Sequence, residues 1–156
     1  MDGKEREVRV ECQVGDPDAN SSVQWNTAGI RDCWLDGSHH TAADRKIAEQ
    51  ILVGAPYLPY VVRVYRGLLR RLLAHMVEAG VRQFLDLGSG LPTASNVHEV
   101  VQALNPECRV VYVDIDAAVA AKGDALLAGN DRAVMVCEDL RLPAQVLDAA
   151  QRTGMI

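Results

Sequence analysis

The sequence has no apolar run near the roughly 18 residues that would be needed to cross a membrane. It also lacks a basic excess, because 16 Lys and Arg residues stand against 21 Asp and Glu residues, for a net charge of −5. Nucleic-acid-binding surfaces are usually basic. We therefore expect neither a membrane nor a nucleic-acid partner. The charged N-terminal residues do not resemble a secretory signal, so we expect a cytoplasmic location.

Cysteine and aromatic residues are scarce. The four cysteines are separated by 21, 75 and 29 positions, and none of these spacings matches a zinc-binding or redox motif. We therefore predict no metal site. Aromatic residues make up 4% of the 156 residues, whereas apolar residues make up 49% and charged residues 24%. This balance is typical of a globular domain and excludes a disordered or collagen-like chain.

Three segments of the chain differ in pattern. Residues 1–30 combine a weak alternation over Glu7–Val14 with turn-forming residues, and we predict an irregular N-terminal arm. Residues 31–80 carry apolar side chains at helical spacing and are predicted to form a helical cap or extension. Residues 81–156 alternate short Val-rich runs with helical segments, which predicts parallel β-α-β units. The predicted fold class is α/β, a Rossmann-like doubly wound parallel sheet with a helical N-terminal extension.

The pattern also predicts where most elements begin and end. Thr41 can cap a helix with Asp44 three residues later, and this helix is expected to stop at Gly54. In the next helix, predicted over 59–79, a stripe that includes Val61, Tyr65 and Leu72 and is widened by Val62, Leu69 and Leu73 is expected to face the core. The remaining predictions are strands over 83–87, 109–114 and 133–137, and helices over 93–104, 117–127 and 143–150.

Candidate binding residues follow the first strand. The segment Asp86–Gly90 reads Asp-Leu-Gly-Ser-Gly, and its two glycines allow the backbone to turn tightly and to approach a ligand. A loop that binds pyrophosphate would have a third small residue where this chain has Thr93. The negative charge of Asp86 disfavours pyrophosphate and favours an ammonium or sulfonium group.

Acidic residues also follow the next two strands. Asp114 ends the second strand and can accept hydrogen bonds from both ribose hydroxyls, although Asp116 competes for this role and is better placed to cap the next helix. Asp139 follows the third strand and can accept from an adenine amino group, while the backbone N–H of Leu140 can donate to the ring. Because ligands bind at the carboxyl ends of parallel strands, the three acids together predict a nucleoside ligand.

Two longer motifs resemble a known family. Residues 84–99 read FLDLGSGLPTASNVHE and residues 109–114 read RVVYVD. They resemble class I S-adenosylmethionine-dependent methyltransferases, and especially a bacterial family long known only as a domain of unknown function. The resemblance implies S-adenosylmethionine as cofactor and a segment over residues 32–45 that closes over the ligand. The predicted cofactor-binding residues are Asp86, Gly88, Gly90, Asp114, Ile115, Asp139 and Leu140.

Class I methyltransferases have seven strands, whereas this sequence supplies the first three. We therefore expect a truncated member whose residues 81–156 are the N-terminal half of the cofactor-binding domain. The first strand would leave one edge unpaired, which favours self-association. The predicted function is a methyltransferase, or the cofactor-binding half of one, with an unidentified acceptor. A non-catalytic nucleoside-binding or interaction domain is the alternative. No pair of residues suggests a catalytic base.

Overall fold

The protein is described here by a computed structural model that covers residues 25–92 and 96–156. The predicted strand over Glu7–Val14 lies outside these residues. The elements in chain order are α1 (Thr27–Trp34), α2 (Ala42–Gly54), α3 (Leu58–Glu78), β1 (Gln83–Leu87), α4 (Val97–Leu104), β2 (Arg109–Asp114), α5 (Ala117–Leu127), β3 (Ala133–Cys137) and α6 (Pro143–Arg152).

The three strands form one parallel sheet in the order β1-β2-β3. Gln83 pairs with Arg109, and Val110 pairs with Ala133, so the strands start nearly level and end at the same edge. All three strands have the predicted bounds. The Val-rich sequences of β2 and β3 suit this arrangement, because a parallel strand covered by helices needs apolar side chains on both faces.

Helices cover both faces of the sheet, as expected for a doubly wound fold. On the first face, Phe84, Tyr112 and Met135 belong to a core that also contains residues of α3, α4 and α5. On the second face, Val111 and Val136 pack with residues of α6. The predicted α/β class with a helical N-terminal part is therefore confirmed.

Helix α3 has nearly the predicted bounds, but only one edge of the predicted stripe is covered. Leu73, which belongs to that edge, is buried together with Val77, and Leu69 packs against the same core. The centre of the stripe is exposed instead, with 40% of Val61, 69% of Tyr65 and 51% of Leu72 accessible. The prediction was wrong for these residues because a helical pattern shows which residues share a face but not which part of it a neighbouring element covers. Among the described residues, α3 contacts α4 and α1 on its other side.

Helix α1 was not predicted. Its N-terminus is capped by Asn26, whose side-chain oxygen accepts from the N–H of Gly29 at 2.7 Å. The buried carboxylate of Asp44 in α2 holds this end of α1 in place by accepting from the N–H of Asn26 at 2.9 Å and from the N–H of Thr41 at 2.7 Å. The predicted Thr41–Asp44 capping box is thus present. Burial opposes ionisation of Asp44, but these hydrogen bonds outweigh it and lower the pKa of the carboxyl group.

A second buried aspartate fixes the turn between α1 and α2. Oδ2 of Asp32 accepts from the backbone N–H groups of His39 and His40 at 2.8 and 2.9 Å, and it lies 2.9 Å from Nδ1 of His40. Buried carboxylates are stable only when donors replace the water they lose. The α1–α2 corner, residues 26–54, is therefore held together by two internal carboxylates. Nowhere in the described ranges does a helix have the length and apolarity to span a membrane.

The close packing of α1 on Asp44 gives a test of this corner. A Cβ added to Gly29 would lie 2.2 Å from Oδ2 of Asp44, whereas one added to Gly54 would meet no atom within 4 Å. We expect Gly29→Ala to lower the free energy of unfolding by about 1–3 kcal/mol, as overpacking does. Gly54→Ala is the matched control and should be neutral or slightly stabilising. Urea denaturation of both variants measures the difference, and equal stabilities would contradict the described packing.

Candidate functional site

The carboxylate of Asp114 joins the ends of β1 and β2. Its Oδ2 accepts from the N–H of Gly90 at 2.9 Å, and its Oδ1 accepts from the N–H of Asp116 at 3.0 Å. Each oxygen retains a second lone pair that can accept from a ligand hydroxyl. Asp116 caps α5 as predicted, since its Oδ1 accepts from the N–H of Ala118 at 2.8 Å. The capping role of Asp116 is therefore present, and the choice of Asp114 as the ribose acceptor stays a prediction.

The glycine loop is fixed to β2 by its backbone. The N–H groups of Gly88 and Ser89 both donate to the carbonyl oxygen of Val113, at 2.8 and 3.0 Å. Gly88 and Gly90 have φ values of 68° and 66°, in the left-handed region that glycine adopts most readily. The sequence placed these glycines correctly at a tight turn beside the end of β2.

Helix α1 covers this loop. Ala28, Asn26 and Thr27 line a cavity of about 60 Å³ together with Gly88, Gly90, Arg31, Asp114, Asp116 and Val119. A Cβ added to Gly90 would lie 3.3 Å from Cβ of Ala28. Gly90 therefore combines a left-handed backbone with a close approach to α1. The sequence predicted the tight turn but could not show that Ala28 lies against it.

Apolar side chains flank the third predicted acid. Ile115 and Leu140 are 41% and 43% exposed at the carboxyl edge of the sheet. Leu140 also lies close to the glycine loop, because its Cδ1 is 3.7 Å from where a Cβ of Gly88 would stand. Two accessible aliphatic groups beside a tight glycine loop can hold a flat aromatic ring between them.

The Asp139 carboxylate is already engaged. It is buried, and it accepts from Nε of Arg141 at 2.8 Å and from the backbone N–H of the same residue at 2.9 Å. These hydrogen bonds lower the pKa of Asp139 below its ordinary value. Asp139 does not line the cavity that contains Asp114.

Asp86 lies behind the glycine loop, on the side covered by α3. Burial raises the pKa of Asp86, while the positive charges of Arg66 and Arg31 oppose this rise. Neither arginine was among the predicted site residues. The arginines of α3 resembled an ordinary solvated face, and Arg31 lies in a helix that the pattern did not predict.

His98 has a structural role at the start of α4. Its backbone N–H donates to the hydroxyl oxygen of Tyr112 at 2.9 Å, and its Nδ1 lies 2.8 Å from the same oxygen. Burial lowers the pKa of His98, which favours the uncharged ring near neutral pH. In that form Nδ1 accepts a hydrogen bond from the hydroxyl group of Tyr112. Within the described parts of the chain, no group of three or more His, Cys, Asp or Glu side chains could hold a metal ion.

Comparison with known proteins now identifies the family. The family profile described as S-adenosyl methyltransferase matches residues 17–156. The chain belongs to this family. Its residues 84–99 and 109–114, which suggested the resemblance, provide the glycine loop and the Asp114 strand of the site. No curated protein matches the chain.

Two solved structures share the fold. One is from Thermobifida fusca and is provisionally assigned as a methyltransferase. It is 39% identical in sequence with a TM-score of 0.79, and the match covers 92% of this chain and 54% of the Thermobifida fusca chain. The other is a DUF574 family protein from Streptomyces avermitilis. It is 40% identical with a TM-score of 0.72, and the match covers 80% of this chain and 49% of the Streptomyces avermitilis chain. The chain thus spans about half the length of these solved relatives.

Gly90 gives a test of the contact between the loop and α1. Gly90→Ala places a methyl group against Ala28 and adds the cost of a left-handed alanine, about 1–2 kcal/mol. Gly129 is the matched control, because its φ is 93° and an added Cβ would meet no atom within 4 Å. We expect both variants to lose stability, but only Gly90→Ala to speed hydrogen exchange in α1. Equal exchange in the two variants would show that the loop does not support α1.

Proposed function

We propose that this chain binds S-adenosylmethionine along the carboxyl edge of its sheet and is the cofactor-binding part of a methyltransferase. The observation that carries this proposal is the carboxylate of Asp114, which is fixed by the N–H groups of Gly90 and Asp116 beside two left-handed glycines. An acid in this position accepts ribose hydroxyls in open α/β sheets. Membership in the S-adenosyl methyltransferase family supports the same ligand.

The other predicted residues support an adenosine site of this kind. Ile115 and Leu140 would enclose the adenine ring, since both are accessible and Leu140 reaches the glycine loop. Asp139 can accept from the adenine amino group only if Arg141 moves away. The Arg141 side chain is 81% exposed and can turn into solvent, and the adenine amino group would then replace it as the donor to Asp139.

The proposed chemistry requires mainly positioning. S-adenosylmethionine, when bound, supplies a methyl group on a positively charged sulfur for direct displacement by an acceptor. The chain would contribute by orienting the ribose at Asp114, by placing the acid of Asp86 near positive charge, and by excluding water beneath α1. We assign no catalytic base and leave the acceptor unspecified.

Asp114 gives the direct test of the ligand. Asp114→Ala removes two charge-assisted hydrogen bonds to ribose, and we expect it to weaken binding of S-adenosylhomocysteine by about 1–3 kcal/mol, roughly ten- to a hundredfold. Asp131→Ala, which removes an exposed acid in a turn, is the control and should bind as the wild type does. Titration calorimetry measures both. Unchanged affinity in a folded Asp114→Ala protein would contradict the assignment.

Helix α1 must move for this ligand to enter. The cavity of about 60 Å³ is far smaller than the roughly 300–1,000 Å³ of ordinary ligand sites. The turn after α1 also reaches α5, because the Nζ of Lys122 donates to the carbonyl oxygen of His39. We propose that α1 and the predicted segment 32–45 form a lid that opens for the cofactor and then closes over it.

Hydrogen exchange tests the lid. Saturating S-adenosylhomocysteine should slow exchange over residues 27–45, because the bound ligand holds the closed form. The C-terminal part of α3, which lies outside the proposed lid, is the internal reference and should exchange equally with and without ligand. Equal exchange across both regions in a protein shown to bind the ligand would exclude a lid role.

In the described ranges, the outer edge of β1 lies open beside the site. Among the described residues β1 pairs only with β2, Leu87 at its end is 53% exposed, and the apolar stripe of α3 is accessible nearby. We propose that this edge takes part in self-association, for which an accessible strand edge is a ready template. The cytoplasmic location, the absence of a nucleic-acid partner and the three-part division of the chain stay predictions.

A further inference from the structure

Two arginines approach the site from different helices. Arg66 lies on α3 and Arg31 on α1, and the charges of both act on Asp86 of β1. Both also line one small cavity with Ser89 and Gly90 of the glycine loop. Guanidinium groups from two elements therefore converge behind the loop that is proposed to bind the cofactor.

Arg66 is incompletely satisfied there. Its Nε is buried and has no hydrogen-bond partner within residues 25–92 and 96–156. Burial lowers the pKa of Arg66, and the like charge of Arg31 adds to this effect, while the charge of Asp86 opposes it. A buried guanidinium donor without an acceptor, beside a second cation, favours an anionic ligand.

The other acid at this cavity does not supply the missing acceptor. Asp32 lines it as well, and its Oδ2 is held by the backbone of His39 and by His40. Its Oδ1 is buried without a hydrogen-bond partner in the described ranges, and Nε of Arg66 likewise has none, so the two atoms are not bonded to each other. The arginine pair therefore keeps a capacity to bind an anion.

The arginine cavity adjoins the cavity at Asp114. Ala28, Arg31 and Gly90 line both. A nucleoside whose ribose is bound at Asp114 would extend past Gly90 toward Arg31. In S-adenosylmethionine the group beyond the ribose is an amino acid, and its anionic end is a carboxylate.

We propose that Arg66, assisted by Arg31, binds the carboxylate of the cofactor's amino acid and thereby selects the complete cofactor over nucleosides without a carboxylate. This inference rests on the proposed function. Arginine suits the task because its planar fork can donate two parallel hydrogen bonds to one carboxylate. Arg66 is the anchor because it is the more buried of the two, and Arg31, at the surface of α1, completes the subsite when α1 is closed.

The test compares S-adenosylmethionine with its decarboxylated form, which differs only in the missing carboxylate. Calorimetry on the wild type should give about ten- to a hundredfold tighter binding of the complete compound. Arg66→Gln should remove most of this preference while leaving the affinity for the decarboxylated compound within about twofold. Arg70→Gln, at an exposed arginine one turn further along α3, is the matched control and should keep the full preference.

Each outcome decides the inference. A wild type that binds both compounds equally, or an Arg66→Gln protein that loses affinity for both alike, would overturn it while leaving the proposed function intact. A wild type that binds neither would overturn the proposed function and this inference with it. If circular dichroism shows that Arg66→Gln is unfolded, Arg31→Gln decides, because that side chain is exposed and its loss should reduce the preference for the complete compound.

Discussion

The hydrogen bond from the Gly90 N–H to the Asp114 carboxylate, 2.9 Å long, is the contact on which the site depends. It ties the loop after β1 to the end of β2, and the bonds from Gly88 and Ser89 to Val113 complete the attachment. A loop held in this way presents Gly90 as a fixed surface for α1. The contact with Ala28 then places Arg31 over the site. One strand-end acid therefore orders the loop, the covering helix and one arginine of the proposed anion subsite.

Four of the buried or partly buried aspartates, Asp32, Asp44, Asp86 and Asp139, have partners of different kinds, and these partners distinguish structural from functional acids. Asp32 and Asp44 are held mainly by backbone N–H groups within the α1–α2 corner, which makes them parts of its framework. Asp139 is balanced by Arg141, an exposed side chain that can be replaced by a ligand. Asp86 is influenced by the charges of two arginines, one of which, Arg66, has a buried Nε donor without an acceptor among the described residues. Of these four acids, Asp139 and Asp86 are the two whose arginine partners a ligand could displace or share.

The sequence predicted the sheet more fully than its surroundings. Short apolar runs, Val-rich in β2 and β3, defined the three strands, because the faces of a parallel strand are covered by helices and the chain turns at Gly or Asp at or just after each strand end. Helix α1 was missed because it has only eight residues and its polar N-cap, Asn26, lies in a segment with turn-like composition. For α3, the pattern identified an apolar stripe but could not show whether a neighbour covers it. Likewise, Gly90 was identified from its place in a tight turn, but its close approach to Ala28 joins residues that are distant in sequence.

The α1–α2 corner is well suited to move as a unit. Within residues 25–92 and 96–156, its two buried carboxylates accept hydrogen bonds only from residues of the corner itself, so opening it as a whole breaks none of those bonds. Two exposed polar contacts in the same ranges join it to the rest of the fold: Asp36 pairs with Arg63 at 2.9 Å, and His39 accepts from Lys122. Exposed pairs of this kind contribute about 0–1 kcal/mol each. The low cost of breaking them supports the proposed lid, which would exclude water from the site when closed and would open to admit a ligand much larger than the cavity of about 60 Å³ beneath α1.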